Sequence, residues 1–192
     1  MTDALLTGHD RFLAGSSDSS VAPSATVDAA IVLLAPLPGG LTPPQLLDTP
    51  KQNLFVLPCP TPKLDAIAVG NIEHAVMVLG CRSLWLIAAE SAEVAAALEG
   101  VKASLAGKDV PLAPGPRASV EVFRHAMERL LAVADPAASD AELNQLALQE
   151  WVRECQDELM HESAVLHELQ LSGGLHIVRA VCEAPSGKLA LV

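Results

Sequence analysis

The 192-residue sequence contains no tyrosine, and only two tryptophans and three phenylalanines. Single-stranded nucleic acid is bound on aromatic stacking platforms, so this scarcity argues against that class of partner. Cations are scarce as well: 12 Lys and Arg stand against 23 Asp and Glu, for a net charge of −11. Phosphate binding draws on clustered Lys and Arg, so nucleic acid is disfavoured a second time, and the acidic balance reads as a solubility device. No apolar run approaches the ~18 residues of a membrane-spanning helix, because Pro36, Pro38 and two glycines stop the longest candidate. Membrane insertion is therefore not expected. Residues 1–12 carry Asp3, His9 and Asp10 and lack the basic-then-apolar pattern of an export signal. Cys59, Cys81, Cys155 and Cys182 show no Cys-x-x-Cys spacing, which reads as four reduced thiols in the cytoplasm.

What is present is apolar. Hydrophobic residues make up 51% of the chain and charged ones 18%, enough to exclude disorder and to bury a real core. Residues 3–14 read as a short amphipathic helix with Leu5, Leu6, Phe12 and Leu13 on or near one face. Residues 15–26 are a Ser/Gly/Pro linker by composition, so that helix reads as an arm able to reach away from the body. The expected division is an arm and linker over 1–26 and an α/β domain over 27–192.

Buried strands are expected at 28–35, 54–57 and 84–87, with a single helical turn at 43–48. A helix over 64–79 presents Ala68, Ile72, Ala75, Val76 and Leu79 as one stripe, and a small-residue helix follows over 91–105. Helices at 118–134 and 139–160 come next, the second opening on the Ser139/Glu142 capping box. A terminal hairpin occupies 175–192, with its turn at Pro185–Lys188. Alternating strands and helices at this spacing imply a mainly parallel sheet with crossover helices.

Ligands in such folds bind at the loops leaving the carboxyl ends of the strands. Here those loops are expected at 36–42 and 88–92, and their only ionised group is Glu90. Cys59, at a strand end, is the best remaining ligand or nucleophile, with Glu90 as its companion, His74 on the helix between them and Cys81 just beyond that helix. The plainer reading makes both cysteines small buried hydrophobes and Glu90 a helix-start acid favoured by the dipole. Gly39-Gly40 lacks the spacing and the lysine of a phosphate loop. His161 and His167 do not share a helical face, so they form no metal pair.

Four stretches in order resemble the β-class carbonic anhydrases. Leu5-Leu6-x-Gly8-His9-x-Arg11-Phe12-x-Ala14-Gly15 is similar to that family's N-terminal arm. Pro43–Asp48 with Asn53–Val56 resembles its first crossover. Gly70-Asn71-Ile72-Glu73-His74-Ala75-Val76-x-Val78-Leu79-Gly80 resembles its most recognisable helix. Leu166-x-Glu168-Leu169, Gly174–Val181 and Ser186-Gly187-Lys188 are similar to its C-terminal helix and edge strands. The resemblance implies a zinc site built from a Cys-x-Asp-x-Arg loop and a His-x-x-Cys loop. In this chain the first falls on Leu37, Gly39 and Leu41 and the second on Ala89 and Ala92, none of them a ligand. The family's Arg-Asn-Ala-Gly-Asn stretch falls on Pro58–Pro62 and is lost too.

The resemblance also implies a dimer in which each arm, through Leu5, Leu6, Phe12 and Leu13, lies across its partner. The expected function is non-catalytic and without cofactor. It is a zinc-free structural or regulatory binding subunit, a homodimer or a heterodimer with an active carbonic anhydrase, or a part of a bicarbonate-handling or carbon-fixation assembly. The alternative is an enzyme or small-molecule sensor that reuses the cleft. A reused cleft is expected to be open and polar; a retired one is expected to be filled by Leu37 and Leu41.

Overall fold

The apolar runs of the sequence become strands. In the computed structural model, which describes residues 2–16, 26–59, 64–108, 123–124, 127–130 and 139–192, β1 (Ala29–Leu33), β2 (Leu54–Pro58), β3 (Ser83–Ala89), β4 (His176–Cys182) and β5 (Leu189–Leu191) form one sheet. Its order is β2-β1-β3-β4-β5. The first four strands are parallel, and β5 returns antiparallel to β4. Every residue of β3, at the centre, is buried, as a strand covered on both faces requires. Pro58 has no N–H to donate and sits in β2 at the sheet edge, where the ladder tolerates it.

The α-helices given by the described residues are α1 (Thr2–Leu13), α2 (Pro43–Leu46), α3 (Ala66–Met77), α4 (Ala92–Leu105), α5 (Asp140–Glu162) and α6 (Ala164–Leu171). Residues 123–124 and 127–130 are helical as well, within the helix expected at 118–134, most of which lies outside the described residues. Local chemistry fixes where the helices start. Asp65 accepts from the Ala68 N–H at 2.8 Å, so α3 begins two residues later than its periodicity suggests. Ser91 caps α4 in the same way. The capping box of α5 forms: Glu142 accepts from the Ser139 N–H and O–H, and Ser139 Oγ from the Glu142 N–H. α5 runs past the expected end at 160 to Glu162, where Ser163 breaks it and caps α6 through the Leu166 N–H. Ser163 Oγ also donates to Glu73 Oε1 at 2.6 Å, tying that break to α3.

The core holds Ile31, Leu84, Trp85, Leu86 and Ile87 on the sheet and Ile72, Leu98, Leu148 and Val152 on the helices. Trp151 of α5 meets Phe123 edge to face, ring centroids 4.9 Å apart. Among the described residues no helix is long and apolar enough to cross a membrane.

Candidate functional site at the carboxyl ends of the strands

Backbone pairing brings three strand ends together. Leu33 stands opposite Pro58 of β2 and Ile87 of β3. Beyond the last pairs, the Cys59 N–H donates to the Leu33 carbonyl at 2.7 Å and the Leu34 N–H to the Ile87 carbonyl at 2.9 Å. The loop after β1 then runs over a tight turn at Pro38–Gly40, where Gly39 has φ +64° and Gly40 φ +72°. Those left-handed angles account for the glycine pair. Leu37 is buried, and Leu41 half-buried.

The second expected loop is shorter than the sequence suggests. Ala88 and Ala89 belong to β3, because the ladder with β4 continues through Ala88–Val181 and Ala89–Cys182. Both alanines are fully buried. Glu90 is exposed, Ser91 caps, and Ala92 opens α4.

The residual pair does not converge. Cys59 leaves β2 and Glu90 leaves β3, with β1 between them. Strands two places apart stand about 10 Å from each other. His74, on the helix between them in the chain, and Cys81 just beyond that helix lie toward the other end of the sheet. A crossover helix runs against the strands, so α3 starts near the end of β2 and delivers the chain to the start of β3. His74 lies in its last turn, and Cys81 two residues before β3. The cysteine that the topology does bring to the site is Cys182, opposite Ala89. Nothing local in the sequence marks it, since its neighbour is 93 positions away.

All four thiols are buried and unpaired. Burial, and after it the Asp65 charge, pushes the Cys59 thiol up. Burial raises Cys182 to about 11, with Glu183 adding to the effect. Burial likewise raises Cys81 to about 11; its own backbone hydrogen bond opposes this and Asp28 adds a smaller upward push. Cys155 is raised by burial and by Glu158, Glu154 and Cys59. A thiol held protonated is a poor nucleophile and a poor ligand.

A zinc ion needs thiolate, imidazole or carboxylate donors. Leu37, Gly39, Leu41, Ala89 and Ala92 offer none, so these positions do not fit that ion. Among the described residues no three His, Cys, Asp or Glu side chains are grouped to hold a metal.

Beside this apolar end lies a polar junction. α1 runs from the start of β3, where Thr2 Oγ1 is 3.4 Å from Ser83 Oγ, to the terminal hairpin. Buried His9 bonds the Leu46 carbonyl and the Leu189 N–H, each at 3.0 Å. Arg11 donates to Asp48 Oδ2 at 2.6 Å and to the Asp48 carbonyl at 3.2 Å. Of the expected arm residues, Leu5 is buried, Leu6 and Phe12 half-buried and Leu13 45% exposed. A methyl group on Gly8 would lie 2.0 Å from the Leu47 carbonyl oxygen, so only glycine allows this approach. Gly187 is hemmed in by Leu41 and Phe12, whose nearest carbons would stand 2.9 and 3.1 Å from an added Cβ. The arm thus packs on its own chain and reaches Leu41 of the apolar site; residues 17–25 of the expected linker lie outside the described residues.

No family model matches the chain, and no curated protein does. Solved structures do. The β-carbonic anhydrase CafA of Aspergillus fumigatus is 20% identical over 87% of this chain and 76% of its own, with a TM-score of 0.63. The Coccomyxa β-carbonic anhydrase in complex with acetazolamide is 14% identical over 100% of this chain and 81% of its own, TM-score 0.63. One of the tetrameric β-carbonic anhydrases of Sordaria macrospora is 15% identical over 100% of this chain and 93% of its own, TM-score 0.62. At these identities the likeness is one of fold, and the fold is that of the β-carbonic anhydrases.

Proposed function

We propose that this chain is a zinc-free, β-carbonic-anhydrase-like protein that works as a structural or regulatory binding subunit in the cytoplasm. The observation that carries the reading is the chemistry of the strand ends. Leu37, Gly39, Leu41, Ala89 and Ala92 stand where the resemblance calls for the zinc-site residues. Without thiolate, imidazole or carboxylate there is no ion to lower the pKa of a bound water to about 7, and no hydroxide nucleophile at neutral pH. The arm and linker over 1–26 and the domain over 27–192 are part of this reading. So is assembly, as a homodimer or with an active β-carbonic-anhydrase-like subunit, in a larger bicarbonate-handling or carbon-fixation complex. The tetramers of the Sordaria macrospora proteins support an oligomer.

Elemental analysis after dialysis against chelator, with a CO₂ hydration assay, tests the central claim. The expected result is no stoichiometric zinc and no hydration above the buffer rate. About one zinc retained per chain would overturn it. The alternative, a cleft reused by an enzyme or sensor, relies on Cys59 and Glu90, and the burial that keeps the Cys59 thiol protonated weighs against it.

A further inference from the structure

We propose that His9 is a proton-sensitive latch that holds α1 on the body of its own chain. Both ring nitrogens are committed to main-chain atoms of fixed polarity. The Leu46 carbonyl can only accept, so the Nδ1 it faces at 3.0 Å carries the hydrogen. The Leu189 amide can only donate, so the Nε2 it faces at 3.0 Å is bare. Two main-chain partners thereby impose the neutral ring with its proton on Nδ1.

A second proton has no place in this arrangement. It would set an N–H on Nε2 against the N–H of Leu189, removing the bond to the hairpin and leaving that amide unpaired. It would also put a cation at a site 4% exposed. The charged groups on the surrounding elements do not offset it. They are Asp3, Asp10 and Arg11 of α1, Asp48 after α2, and Glu183 and Lys188 of the hairpin. Arg11 and Asp48 are committed to each other, Asp3, Asp10 and Lys188 are exposed, and none of the six hydrogen-bonds the ring. Phe12 is the aromatic neighbour, its ring stacked 6.1 Å from the imidazole.

Loss of the latch has a large effect because α1 is short. A twelve-residue helix is marginal alone, so undocking also unwinds it and uncovers Leu5, Phe12 and the side of Leu41. Acid is therefore the signal and the arm is the responding element. The latch works within one chain and holds whether or not the binding role proposed above is correct.

The test uses the full chain. Long-range ¹H–¹⁵N NMR of the histidines at about pH 7.5 reports the tautomer of His9, and Nδ1–H is expected. Amide hydrogen exchange, corrected for intrinsic rates, is then compared at about pH 7.5 and about pH 5.5, with β1 and β3 as internal reference. Because the docked ring has no place for a second proton, protection of residues 2–13 and of the Leu189 amide is expected to fall about tenfold across that interval, relative to the reference strands. In His9→Gln, whose amide oxygen accepts without titrating, arm protection is expected to be the same at both pH values. An Nε2–H tautomer, an arm whose protection tracks that of β3, or a glutamine variant with the same tenfold loss would overturn the proposal. Where the glutamine arm is unprotected at both pH values, the tautomer and the wild-type ratio decide alone.

Discussion

At the ends of β1 and β3 the chain presents Leu37, Leu41 and Ala89, whereas toward the sheet edge, where α1 meets the hairpin, His9, Arg11 and Asp48 are all engaged. The first region lies where α/β folds receive ligands, and its side chains are suited to packing. The second joins residues 37 and 180 positions apart through directional bonds. The contrast teaches where this sequence keeps its polar specificity: in holding its own segments together, with hydrocarbon left at the strand ends. Each region can be challenged separately.

The largest effect is expected at the apolar end. Replacing all five positions by the family's residues, as Leu37→Cys, Gly39→Asp, Leu41→Arg, Ala89→His and Ala92→Cys, forces an imidazole into a fully buried alanine position of the central strand and a charge beside Phe12. Overpacking and polar burial together should cost about 4 kcal/mol or more without metal. Urea unfolding with and without zinc measures it. A metal-free variant as stable as the wild type would show that these side chains do not fill the site.

Next comes the arm. Leu5→Ala removes a buried anchor and should cost about 2–5 kcal/mol, while Leu13→Ala, at an exposed position, should stay within about 0.5 kcal/mol. Equal losses would mean that the arm does not use the face described. Arg11→Ala removes the ion pair to a largely buried carboxylate and should cost about 1.5–3 kcal/mol, measured by the same unfolding assay. A loss near zero would reduce the polar junction to His9.

The smallest effect is carried by the thiols, and it varies with pH only on the alkaline side. Cys81 and Cys182 are raised from 9.0 to about 11. Between these values the unfolded chain releases thiol protons that the folded chain keeps, so the unfolded state binds fewer protons and stability declines as pH rises. The contribution is whole below pH 9 and disappears as pH rises through about 11. Urea midpoints at pH 8 and 10.5 report it, and an unchanged midpoint would contradict the burial of these groups. Rapid alkylation of Cys59 in the native protein at pH 8 would favour a reactive cleft.

Features specified by neighbouring residues were legible in the sequence. Ser139 and Glu142 announce a helix start three residues apart, Pro185–Lys188 announces a turn, and the run at 29–33 is apolar throughout because both its faces are covered. The lack of ionised side chains in residues 36–42 was equally plain, since residue type needs no structure to be read. What escaped depends on distance or direction. Cys182 beside Ala89 is the product of a parallel crossover, which leaves no local trace. The periodicity around His74 marks a helix without saying toward which end of the sheet its last turn points. His9 gave no signal because both of its partners are main-chain atoms, and any residue type at positions 46 and 189 other than proline would supply them.

That bond between His9 and Leu189 spans 180 positions, and this has a consequence for how the protein is made. Synthesis proceeds at about 5–20 residues per second, so about 9–36 s pass between the appearance of the ring and the appearance of the amide that completes its pairing. Until the hairpin is made, the arm has only the earlier part of its receiving surface, at Leu46, Leu47 and Asp48, on which to rest.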